Sequence, residues 1–114
     1  MHDEIPLTPE LWARFNKSEQ VLLIAAEMQR ALGLLRIDDS IRLSSLYECV
    51  LLLTDLTLEV QENRSLRREL GLFRGVIEEL SRREEPDPAT HRSLLRVLLQ
   101  LDPVAYDHTA ALGS

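Results

Sequence analysis

Leucine occupies 24 of 114 positions. From one end of the chain to the other these leucines recur three or four residues apart, the spacing that gathers side chains on one face of an α-helix. Such faces must be buried against other helices. The expected fold is therefore all-α: a compact bundle of four to five helices in a single domain, with 1–8 and 103–114 as tails. Aromatic residues make up only 4%, so the core has to be assembled mainly from Leu, Val, Ile and Ala.

Start signals divide the pattern. Thr8-Pro9-Glu10 reads as a cap, a first-turn proline and an acid at the positive end of the helix dipole. Leu11, Trp12 and Phe15 follow. Residues 9–16 form either a separate short helix or the first turns of the next one, because Leu11, Phe15, Ser18, Leu22, Ala25 and Leu32 keep one phase. Ser18 offers a second cap. A second helix is expected over about 19–35, ended by Gly33 and Asp38-Asp39-Ser40. Asp39 or Ser40 caps a third, over about 41–62. The phase 43, 46, 50, 53, 60 is not continued by 66, 70, 73, 77, 80, so a turn is placed at Asn63-Arg64-Ser65. A fourth helix spans about 66–83. Asp87-Pro88 then repeats the cap-plus-proline start and opens a fifth, to about 101.

Composition narrows the chemistry. A net charge of −6 disfavours direct nucleic-acid binding, which depends on cationic contacts to phosphate, and adsorption to anionic membranes. Arg64, Arg67, Arg68, Arg74, Arg82 and Arg83 are interleaved with Glu62, Glu69, Glu78, Glu79, Glu84 and Glu85, as on a solvated helix face. The longest apolar run is 21–26, far short of a membrane span. Cys49 is the lone cysteine, and the opening Met-His-Asp-Glu-Ile-Pro lacks the basic start and apolar stretch of a signal peptide. A soluble, cytoplasmic protein is expected.

No Glu has His three residues later, as a di-iron bundle requires, and no Cys or His pair has zinc spacing. Neither a metal nor a cofactor is expected. Ser44 and Ser45 lie outside any nucleophile elbow. Cys49 beside a histidine such as His91 would make a thiol nucleophile, but a free cysteine on a leucine-rich helix reads first as core. His91 reads as a surface or partly buried residue. No catalytic residues are assigned, and the chain is expected not to be an enzyme.

What the sequence does offer is excess apolar surface. Leu43, Leu46, Val50, Leu53 and Val60 form one stripe of the third helix, while Leu51, Leu52, Leu56 and Leu58 fall off it. A helix apolar on more than one side is buried on more than one side. The reading is a two-fold homodimer using the third and fourth helices, a surface for another protein, or both. Gly71 and Gly75 suggest a place where a second helix approaches closely. The expected protein-interface residues are Trp12, Phe15, Leu52, Leu56, Gly71, Phe73, Gly75 and Tyr106, since aromatic anchors dominate interface energetics.

In length, acidity, helical content and its single cysteine Cys49, the chain resembles the small helical antiactivators that bind LuxR-type quorum-sensing receptors. The likeness is one of general character over the whole length. It implies a homodimer whose apolar helical surface docks on the ligand-binding domain of a transcription factor, competes with receptor dimerisation and so prevents DNA binding. The residues themselves leave open a small helical structural subunit or chaperone of a larger complex.

Overall fold

Each helix begins at a side-chain oxygen that satisfies a backbone N–H left over in its first turn. In the computed structural model, which describes residues 7–37 and 39–101, Thr8 Oγ1 accepts from the Leu11 amide at 3.2 Å and starts α1, Pro9–Trp12. Asn16 and Glu19 then form a reciprocal box. The Glu19 amide donates to Asn16 Oδ1 at 2.9 Å and the Asn16 amide to Glu19 Oε1 at 2.9 Å, opening α2, Lys17–Ile37. Asp39 opens α3, Ser40–Val60; Asn63 opens α4, Arg64–Arg82; Asp87 opens α5, Pro88–Gln100.

One of the two alternatives for residues 9–16 is realised, and two expectations are corrected. Residues 9–16 hold a one-turn helix and a turn, separate from α2. The cap of α2 is Asn16, two residues before Ser18, because Glu19 sits where its carboxylate can answer the Asn16 amide. Gly33 does not end α2; the helix runs on through it to Ile37. Of the expected tails at 1–8 and 103–114, residues 1–6 and 103–114 lie outside the described residues, and Thr8 belongs to the start of α1.

Helices α2, α3, α4 and α5 form a ring of neighbours, α2 against α3, α3 against α4, α4 against α5 and α5 back against α2, while α1 rests on α3. Gln20 near the start of α2 bonds Gln61 just past the end of α3, so these two helices run antiparallel. Because α3 meets α1, α2 and α4, it buries Leu43, Tyr47, Val50, Leu53, Thr54, Leu56 and Thr57. Its many-sided apolarity is thus largely absorbed within one chain. Of the excess that the sequence suggested for a second copy, Leu56 is core, Leu51 and Leu58 are partly buried against it, and Leu52 is 52% exposed. In contrast α4 has one buried edge, Leu66, Leu70, Phe73, Ile77 and Leu80.

A polar latch fixes α1. The Trp12 indole Nε1–H donates to Thr57 Oγ1 at 2.9 Å, and that hydroxyl donates to the Leu53 carbonyl at 2.8 Å. The Gln20 amide donates to the carbonyls of Trp12 (3.0 Å) and Phe15 (2.9 Å) and accepts from Gln61 Nε2 at 2.7 Å. One buried glutamine thereby satisfies the Phe15 carbonyl and gives the Trp12 carbonyl a second donor beside the Phe15 amide at 3.1 Å. Among the described residues no buried side-chain nitrogen or oxygen lacks a partner. Across the α3–α4 seam, Arg74 grips Asp55 with two nitrogens at 2.5 and 3.3 Å. Arg67 of α4 donates to the carbonyls of Leu58 and Gln61, closing the C-terminal end of α3.

Thr57→Val is isosteric but leaves the buried indole N–H unpaired. It is expected to cost about 1–3 kcal/mol in urea unfolding. A double-mutant cycle with Trp12→Phe should show positive coupling, because the second change removes the orphaned donor. Strict additivity would mean that the Trp12–Thr57 bond does not hold α1.

Candidate interaction surface

Residues with chemical potential are turned to structural use. His91 is fully buried at the centre of the ring, which corrects the expectation of a surface or partly buried position. It lies on the inner edge of α5 with Leu95, Leu98 and Leu99. Its Nε2 lies 2.8 Å from the Met28 carbonyl of α2, and its Nδ1 lies 2.8 Å from the Tyr47 hydroxyl of α3. A carbonyl only accepts, so these partners assign the proton to Nε2 and leave Nδ1 to accept from Tyr47. Both ring nitrogens are occupied, leaving neither for Cys49. Burial holds the His91 pKa below 6.5 and outweighs the upward pull of the Met28 carbonyl, with nearby Arg92 adding to the lowering. Burial, reinforced by the Asp87 charge, pushes the Tyr47 phenol up to about 12. Cys49 is half-buried at the core edge, and burial, with Glu27 nearby, raises its thiol pKa. It is therefore a weak nucleophile at neutral pH. Among the described residues no three His, Cys, Asp or Glu side chains gather as a metal-holding group.

The charged residues of α4 mostly make the exposed ion pairs expected of them. Arg82 lies 3.4 Å from Glu78, Arg83 lies 3.5 Å from Glu79, and Arg74 adds Glu78 at 3.0 Å. Pairs this exposed contribute little each. No helix among the described residues is long and apolar enough to cross a membrane.

The residues expected at an interface separate into groups. Trp12, Leu56 and Phe73 are core; they serve this chain's interior and present no outward surface, so their reading as exposed anchors is corrected. Phe15 stays 38% exposed, packed on Trp12 with ring centroids 5.5 Å apart. Leu52 faces outward. Gly71 and Gly75 lie on the solvent side of α4, and a Cβ at either would meet no atom within 4 Å. Among the described residues the close helix crossing they suggested is not made, because α4 packs through its opposite edge. Tyr106 lies outside the described residues.

The clearest apolar concavity lies between α2 and α3. It is a shallow groove of about 450 Å³, lined by Leu34, Leu46 and Ser45, with Arg30 on the α2 side and Arg42 on the α3 side. Ile41, four residues before Ser45 and therefore its neighbour on the helix surface, is 82% exposed. Leu52, seven residues after Ser45, continues the same outer face. None of the five lining residues was expected at an interface from the sequence, which placed Leu46 in the buried stripe of the third helix. The available signal was the apolar residue Ile41 directly behind the Asp39 cap, where no stripe of α3 needed it. No family model matches this chain, nor does any curated protein or solved structure.

The His91 bridge predicts an acid-sensitive fold. Unfolded, the imidazole ionises near its ordinary value of about 6.5; folded, it resists protonation. The unfolded state therefore binds more protons below that value. The contribution of His91 is fully present above about pH 6.5 and falls as pH drops through and below it. Asp87, whose carboxyl is lowered first by its hydrogen bonds to Thr90, acts only in the more acidic carboxylate range. Thermal unfolding of the wild-type chain and His91→Gln from pH 8 to 5 should show the variant's slope flattened. Parallel curves would remove the assignment.

Proposed function

We propose that this chain is a non-enzymatic regulatory protein that binds another protein through an apolar helical surface. In the specific form of this reading it is a cytoplasmic antiactivator. It docks on the ligand-binding domain of a LuxR-type transcription factor and blocks receptor dimerisation and DNA binding. The observation that carries the binding role is the α2–α3 surface. An apolar groove with exposed Ile41 and Leu52 outside it is more than the fold needs, and apolar surface left uncovered in this way supports contact with a partner. The buried use of His91 and the protonated state of Cys49 support the non-enzymatic half. The antiactivator form rests on the resemblance in length, charge and helical character.

The same reading makes the protein a homodimer through the outer side of α4, where Leu72 is 64% exposed between Gly71 and Gly75. Glycines on an outward face let a second helix approach closely.

Two measurements test this. A purified LuxR-type receptor bound to its DNA should be released by excess of this protein, read by fluorescence anisotropy; unchanged DNA binding removes the antiactivator form. Light scattering at micromolar concentration should give twice the 13.1 kDa chain mass. A monomer would remove the dimer and leave the binding role standing.

A further inference from the structure

We propose that the α2–α3 groove receives an acidic amphipathic helix from the partner, its apolar edge on Leu34 and Leu46 and its carboxylates on Arg30 and Arg42. This rests on the protein-binding role above and names the chemistry of the partner. A helix laid into an apolar groove is a common recognition mode, and charges along the edges select its identity and orientation.

The argument is one of charge and shape. The floor is apolar and the two cations stand on opposite walls, one from each helix. An occupant with carboxylates on both sides of a leucine or phenylalanine edge matches that layout; one with lysines there would not. The arginines are available to it. Arg30 is 71% exposed and only loosely paired with Glu27 at 3.3 Å. Arg42 is 76% exposed and paired with Asp39 at 3.5 Å. Both are contacts within one helix turn, worth little in water and readily exchanged for a partner's carboxylate. The acids near this surface are Glu27 and Asp39, which hold the two arginines, and Glu48, which stands exposed on α3 between Ser45 and Leu52; Glu27 is mostly covered, with its side chain 16% exposed. Arginine also suits the position because its stem extends apolar surface while its head remains in water.

Net charge turns this into a sharp test. At −6 overall, non-specific electrostatics would draw a basic peptide to this protein and repel an acidic one. The groove predicts the reverse. The probes are two labelled helical peptides with the same leucine edge, flanked by Glu in one and by Lys in the other. Fluorescence anisotropy on the full chain should show the Glu peptide binding at least tenfold more tightly. Arg30→Glu/Arg42→Glu, both at exposed positions that the fold does not depend on, should reverse the preference. Ser45→Trp, which fills the groove without touching charge, should weaken the Glu peptide at least tenfold.

No binding of the Glu peptide, equal or tighter binding of the Lys peptide, or indifference to either variant would overturn the proposal. The receptor assay separates this failure from that of the broader role. Release of receptor from DNA at wild-type strength by the Arg30→Glu/Arg42→Glu variant would keep the antiactivator and discard the groove.

Discussion

Leucine packs against leucine in many registers, so a leucine-rich bundle needs something less forgiving to select one. Here a few buried hydrogen bonds do so. Trp12 to Thr57 sets α1 on α3; Gln20 joins the α1–α2 turn to the end of α3; His91 joins α5 to α2 through Met28 and to α3 through Tyr47. Each net bond is worth only about 1 kcal/mol, but leaving a buried partner unpaired costs more. A slipped register would keep much of the apolar contact and lose these pairings. Hydrophobic burial drives collapse of the chain, and the polar core distinguishes the native packing from its neighbours.

The same contrast explains what could be read along the chain. Helix starts were legible because a cap is local: Thr8, Asp39 and Asp87 each act within four residues, whereas Asn63, read only as part of a turn over 63–65, in fact caps a helix that begins at Arg64. The turn at Asn63 was visible as a break in phase. The Asn16–Glu19 box was overlooked in favour of Ser18, since the two positions are close and both residue types cap. Long-range pairings have no local signature. Nothing around His91 says that a carbonyl 63 residues away will accept its N–H. For the same reason the surplus leucines of α3 looked like an interface. Sequence counts apolar sides, but only the tertiary arrangement reveals that α1 lies across one of them.

The glycines make a related point. Gly33, Gly71 and Gly75 all sit in helix interiors with open space where a Cβ would be, and each weakens its helix by about 1 kcal/mol relative to alanine. At Gly33 the helix continues because Leu32, Leu34 and Leu35 on either side are packed against the core. Burial of that flanking surface outweighs the backbone entropy.

What remains outside the core is organised differently on different faces. On α4, Arg74, Glu78, Glu79 and Arg82 make ion pairs and Arg67 closes the end of α3, while Arg64 and Arg68 stand exposed. On the α2–α3 face the arginines make only single-turn contacts beside partly buried leucine. Those contacts add little to folding, and solvated pairs of this kind are exchanged at low cost. The face therefore combines apolar area that folding has left in water with cations whose present partners are weak. Affinity gained there would come from desolvating Leu34 and Leu46, and selectivity from the charges around them. Because the arginines lie outside the network of buried bonds, recognition on this face can be altered with little disturbance to the bundle that carries it.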